Sequence, residues 1–137
     1  MKNAKPYISV DEKELPIIKV TFNFNKETLE DYNAFLGFQQ MVLNRYQPYV
    51  FKFDCCVMGY LPSEIRIAQG NFFKTNKELL QRYCQGVVLL VKSPLVALMA
   101  KGMAMVQGFP FPIFFVTKEE EWNVKAKELA GTIVKVS

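Results

Sequence analysis

The sequence predicts an α/β fold, a single domain over 1–137 with a mixed sheet of about five strands. Three observations predict it. The first is a strand–helix–strand unit between Gly86 and Val116 with almost no charge. The second is the good alternation within Pro16-Ile17-Ile18-Lys19-Val20-Thr21-Phe22-Asn23-Phe24. The third is the recurrence of helical apolar spacing between strand-like runs, which gives the order β-β-α-β-α-β-α-β-α. A continuous apolar run reads as a strand covered on both faces, and strands separated by helical patterns read as parallel crossover units.

In the central unit, Val87-Val88-Leu89-Leu90-Val91 is bounded by Gly86 and by Lys92-Ser93-Pro94. Ser93 suits a helix N-cap, and Pro94 in the first turn gives up no needed N–H. The helix Leu95 to Val106 ends before Gly108 and Pro110, and Pro112-Ile113-Phe114-Phe115-Val116 is the second buried strand. About thirty residues of this kind make a right-handed βαβ crossover with parallel strands.

Before that unit, Tyr7-Ile8-Ser9-Val10 and Pro16–Phe24 flank the polar stretch Asp11-Glu12-Lys13-Glu14, which predicts an antiparallel hairpin. Ile18, Val20, Phe22 and Phe24 share one face of its second strand; Lys19, Thr21 and Asn23 share the other. A helix starts at Asn25 or Thr28 and runs to about Tyr46, before Pro48. Glu27, Glu30 and Asp31 crowd its positive end and Arg45 its negative end. Leu29, Tyr32, Leu36, Leu43 and Tyr46 form its stripe, widened by Phe35 and Val42.

Tyr49-Val50-Phe51-Lys52-Phe53-Asp54 is the next strand. Pro62-Ser63 opens another helix, with Ile65, Ala68, Phe72, Leu79 and Tyr83 inward, polar Asn76 in the same stripe, and Gln69 on the solvated side. A bend is expected at Gly70 or Thr75-Asn76. Thr117-Lys118-Glu119-Glu120 reads as a capping box for a last helix, with Trp122, Ala126, Leu129 and Ala130 inward and Gly131 at its end. Thr132 to Ser137 is a tail that could add a short strand.

Composition narrows the chemistry. The chain has no histidine, which removes imidazole-based triads, Cys–His dyads and histidine metal sites. Its three cysteines, Cys55, Cys56 and Cys84, are odd in number and lack a CxxC spacing, so reduced thiols in a cytoplasmic protein are expected, with no metal and no cofactor. The net charge of +4 is scattered, which argues against nucleic-acid binding. The start of the chain carries no signal-peptide pattern, and Pro94 to Val116 is too interrupted by Lys101, Gln107, Pro110 and Pro112 to span a membrane. No GxGxxG or Walker A occurs.

Pro48-Tyr49-Val50-Phe51-Lys52-Phe53-Asp54, Leu61-Pro62-Ser63-Glu64-Ile65-Arg66, Cys84–Val91, Ser93-Pro94-Leu95-Val96 and Ile113–Val116, with Trp122 in a closing acidic helix, together resemble the SpoIIAA-like, STAS-type family of small bacterial domains. The resemblance spans roughly Ile17 to Leu129. It implies a fold related to the lipid-binding CRAL-TRIO domains, and a role in docking partners, as in anti-sigma-factor antagonists switched by serine phosphorylation. In those proteins the phosphorylated serine opens the helix after the strand ending in Asp, which here falls on Ser63. Ser63 also reads as an ordinary N-cap worth ~1 kcal/mol.

Two surfaces remain as candidate sites. Leu95, Leu98, Met99, Ala100, Met103, Ala104 and Gly108 mark an interaction helix, in which Ala100, Ala104 and Gly108 repeat every four residues and flexible methionines suit varied partners. A homodimer is the favoured partner, with a regulatory protein or a lipid as others. Phe51, Phe53, Tyr60, Phe72 and Phe109 mark a candidate apolar pocket, to which Tyr46, Tyr49, Phe73 and Phe111 could add. Asp54-Cys55-Cys56 ends a central strand, where α/β sheets place ligands, but inert buried cysteine is the plainer reading. No nucleophile, base and oxyanion site can be assembled, so the expectation is a non-catalytic regulatory or protein-interaction domain of STAS type, with a lipid-like ligand carrier or sensor, or a peripheral membrane protein, as the alternative.

Overall fold

The computed structural model describes residues 5–133. Its elements are β1 (Ile8–Glu14), β2 (Ile17–Phe22), α1 (Leu29–Leu43), β3 (Tyr49–Asp54), α2 (Ser63–Thr75), α3 (Lys77–Tyr83), β4 (Cys84–Leu90), α4 (Pro94–Gln107), β5 (Ile113–Val116) and α5 (Glu119–Gly131). The five strands form one mixed sheet in the order β1-β2-β3-β4-β5. The β1–β2 pair is antiparallel and the three remaining pairs are parallel.

Alternation along the strands sorts the core into two layers. Ile18, Val20 and Phe22 of β2, Tyr49 and Phe51 of β3, and Val87 of β4 face a layer built by α1, α2, α3 and α4. Val20 pairs with Phe53, Phe53 with Leu89 and Leu89 with Phe115, so one row of apolar side chains crosses the sheet beneath those helices. On the opposite face Ile17, Val50, Val88 and Leu90 meet α5 through Trp122, Ala126 and Ala130. Trp122 is fully buried and donates its indole N–H to the Val88 carbonyl at 3.0 Å. The ammonium of Lys52 lies 4.4 Å from the centre of that ring and bonds Asn123. Burial first, and then neighbouring Lys19, lower the Lys52 pKa.

Several sequence expectations are corrected. The polar stretch Asp11–Glu14 belongs to β1, and the turn falls at Leu15-Pro16; a register shift between Asp11 and Glu14 accommodates the change. Arg45 lies beyond the end of α1 and makes a two-pronged ion pair with Glu12 of β1, so it ties the helix exit to the hairpin rather than complementing the helix dipole. Tyr46 has φ 54° and is exposed, because the chain leaves the helical path before reaching it. Thr28, by contrast, caps α1, accepting from the Asp31 N–H at 3.1 Å.

The helix after Leu61 divides at Asn76, which donates its side-chain amide to the Phe72 carbonyl at 3.1 Å and so closes α2. Pro62 occupies the cap of α2, which leaves Ser63 as the first helical residue with no side-chain capping bond. β4 begins three residues before Val87: Cys84 pairs with Tyr49 and Gly86 with Val50, so Gln85 is bulged out. Ser93 does cap α4, accepting from the Val96 N–H at 3.3 Å. The capping box at Thr117 does not form; Lys118 holds the cap position of α5 and no side chain bonds there. Residues 134–137 of the expected tail strand lie outside the described residues.

Candidate functional site

Between the sheet and its four-helix layer lies a cavity of about 90 Å³ with almost wholly apolar walls. Its floor comes from the inward residues of the parallel strands, chiefly Tyr49, Phe51 and Phe53 of β3 and Val87 and Leu89 of β4. α4 supplies Val96, Met99, Ala100 and Met103. These recur at three and four because one helical face covers the sheet. The remaining wall includes Phe73 of α2 and Phe109 and Phe111 from the link into β5. Phe109 and Phe111 stack in parallel at 5.5 Å, and Phe73 meets their edges at 5.2 and 5.5 Å. These three rings are only partly buried, as are Phe53, Leu89, Met103 and Ile113 in the same lining.

The candidate pocket residues divide accordingly. Phe51, Phe53 and Phe109 line the cavity. Phe72 packs on the outside of the core cluster, and Tyr60 is exposed with the Arg66 guanidinium 5.3 Å from its ring. Tyr49, Phe73 and Phe111 also line it, and Tyr46 lies away from it against Tyr83.

The apolar wall is broken by one polar cluster absent from the sequence reading. Gln39 of α1 and Gln69 of α2 are both buried and exchange amide hydrogen bonds of 3.0 and 3.3 Å. Tyr32 donates its hydroxyl to the same Gln69 oxygen at 2.6 Å. Gln69 was expected on the solvated side; a polar residue at an inward position finds a partner at the same depth on the facing helix. Each glutamine keeps one amide N–H beyond these bonds. The Tyr49 hydroxyl is buried in the same wall without a hydrogen bond, beside the Cys84 thiol.

The thiols are inert both after the carboxyl end of β3, where Cys55 and Cys56 lie, and at the amino end of β4, where Cys84 lies. Burial pushes Cys55 far up and Cys84 up to about 12, and burial together with Asp54 pushes Cys56 up to about 11. All three thiols therefore stay protonated at neutral pH, and none is an activated nucleophile. Asp54 accepts from the Cys56 N–H at 3.0 Å and so shapes the turn after β3. Nearby Glu27 is buried and neither carboxylate oxygen has a hydrogen bond of good geometry. The Tyr7 hydroxyl and the Gly59 backbone N–H lie beside it, but loss of water dominates and holds the Glu27 pKa above the carboxylate range. Among the described residues no cluster of three or more His, Cys, Asp or Glu side chains could hold a metal ion.

The candidate interaction helix shows two faces. Val96, Met99 and Ala100 are buried, and Met103 is partly buried. Leu95, Leu98 and Met105 face solvent at 57%, 69% and 86% exposure. Gly108 is exposed past the helix end, and the side chain of Ala104 lies outside the described ones. The small-residue repeat is therefore not one continuous exposed ridge, since Ala100 belongs to the cavity wall. Ser63 is exposed at the start of α2. Among the described residues no helix is long and apolar enough to cross a membrane.

No protein-family model matches this chain, and no curated protein sequence does.

Proposed function

We propose that this chain is a non-catalytic binding domain of SpoIIAA-like, STAS type that carries or senses a lipid-like ligand. The apolar cavity carries the reading. A closely packed interior holds few voids larger than one water molecule. A pocket of about 90 Å³ that is partly open to solvent costs at most about 2 kcal/mol in lost packing when unfilled. Water gains little there, because an apolar wall offers it few partners. An apolar ligand restores those contacts. The inert thiols and the absence of histidine support a binding role over a catalytic one. The one-sided stacking of α1 to α4 over a sequentially ordered sheet supports the family assignment.

Native mass spectrometry beside a denatured intact mass tests this reading. The expected result is a native mass in excess of the chain, with the excess lost on denaturation and recovered in an organic extract as a small apolar molecule. A bare native mass, combined with no uptake of added medium-chain alcohols, would overturn it.

A second reading has its own observation. The exposed Leu95, Leu98 and Met105 leave α4 with an apolar outer face, which suits a second copy of the chain or a regulatory protein. A concentration-dependent dimer that Leu98→Asp abolishes would support it. A monomer at all concentrations would remove the homodimer.

A further inference from the structure

The apolar cavity shares part of its aromatic wall with a second space. On the other side of Phe73 and Phe109 lies an open cleft of about 310 Å³, and these two rings line both spaces. The cleft differs in character: its walls are Lys74, Lys77 and Gln81 on one side and Gly108 and Pro110 on the other. Among the described residues no carboxylate lines it, and neither lysine takes part in an ion pair. Glu78, next in sequence to Lys77, is exposed outside this wall.

An apolar chamber that shares a wall with a basic cleft has the layout of an amphiphile site. The geometry points to a single-chain anionic amphiphile as the ligand, its apolar end in the cavity and its carboxylate or phosphate head at Lys74 and Lys77. This inference rests on the lipid-like reading above and adds the head-group charge and the route of entry. Size limits the apolar end. A cavity of about 150 Å³ accepts benzene, so one of about 90 Å³ takes a short apolar terminus. Phe73 and Phe109 meet edge to face at 5.2 Å, so the rest of the ligand reaches the cleft when these two rings part, and the joined site then falls in the volume range of small-molecule pockets. Lysine suits the outer end as a mobile point charge that follows either kind of anionic head.

The test compares 1-octanol, octanoate, octyl phosphate and octylammonium by NMR titration of the full chain at low salt. Both anions are expected to bind about three- to tenfold more tightly than octanol, the scale of one or two exposed charge contacts, and octylammonium more weakly. Amide shifts should reach Phe73, Lys74, Lys77 and Phe109. The preference should shrink as salt screens it. Comparing octanoate with octyl phosphate distinguishes a carboxylate from a phosphate head.

The charge-reversed variant Lys74→Glu/Lys77→Glu should lose the anion preference, so that octanoate and octyl phosphate bind no more tightly than octanol, and octylammonium should gain on all three. Filling the cavity with Ala100→Leu should weaken all four ligands together, and Met103→Trp serves where that variant folds poorly. Equal binding of octanol and octanoate in the unaltered chain would overturn the head-group assignment and leave the apolar-ligand reading standing. Failure of all four to bind would overturn both.

Discussion

The polar cluster in the cavity wall gives the sharpest test of the packing described above. Gln69 accepts from the Tyr32 hydroxyl at 2.6 Å and from the Gln39 amide at 3.0 Å, and donates to Gln39 at 3.3 Å. Gln69→Met keeps the approximate shape but strands a buried hydroxyl donor and a buried amide. Each stranded buried group costs about 1–3 kcal/mol, so stranding two should cost about 2–6 kcal/mol. That is a large share of the roughly 5–15 kcal/mol that stabilises a domain. The triple variant Tyr32→Phe/Gln39→Met/Gln69→Met leaves no polar group behind and should fall within about 1 kcal/mol of the parent. Urea unfolding followed by circular dichroism, with unchanged slope, measures all of these. A triple variant no more stable than Gln69→Met alone would refute the reasoning. It would mean that the cluster's hydrogen bonds stabilise the fold on their own account, rather than relieving a burial penalty they created.

Filling the cavity offers a second stability test: Ala100→Leu should raise stability by part of the roughly 2 kcal/mol that the unfilled pocket costs at most, and a loss above about 1 kcal/mol in the same unfolding assay would show that neighbouring side chains already occupy the space. Glu27 predicts a pH dependence, because its folded pKa is raised by burial while the unfolded chain keeps the ordinary value. The folded state then holds more protons across the window between the two values, so stability falls as pH rises through it. Tyr7, Tyr32, Cys55 and Asp31 surround the carboxyl as neutral or negative groups; Glu27→Gln should therefore stabilise the protein at neutral pH and flatten that slope, which denaturant midpoints across the window would measure. Two glycines should separate cleanly by thermal melting. A Cβ on Gly59 would lie 2.0 Å from the Asn25 carbonyl oxygen, so Gly59→Ala should cost about 3 kcal/mol; a Cβ on Gly86 meets only the mobile end of Leu129 at 2.7 Å, and Gly86→Ala should cost less than about 1 kcal/mol.

Elements whose residues obey one period were legible in the sequence. β2 alternates from Ile18 onward and lies where its pattern places it. The apolar run from Val87 to Leu90, buried on both faces, forms only the second half of β4, which starts at Cys84. Where a long-range partner overrides the local pattern, the sequence misleads. Asp11–Glu14 looks like a loop because it is polar, yet an edge strand needs only one neighbour and tolerates charge on its open side. Arg45 has the right sign for a helix end, but Glu12 on a distant strand offers it two oxygens. Gln69 looks solvated because its amide is polar, and only the position of Gln39 on another helix reverses that.

The site was legible in its materials and not in its arrangement. Helical spacing favours Phe72 as the inward ring, but one step along a helix turns a side chain by about 100°, and it is Phe73 that lines the cavity while Phe72 lies outside it. Whether aromatics on facing elements interlock or leave a gap depends on helix depth to within a methyl group, which no periodicity encodes. Lys74 and Lys77 show the same limit from the polar side. Both are exposed, as lysines on a helix surface ordinarily are. What distinguishes them is that the helix break at Asn76 places them along one cleft whose far wall, Phe109, arrives from more than thirty residues later. A break that looks like a defect in a long helix thus sets two charges beside the apolar pocket, and the charge preference proposed for the ligand rests on that placement.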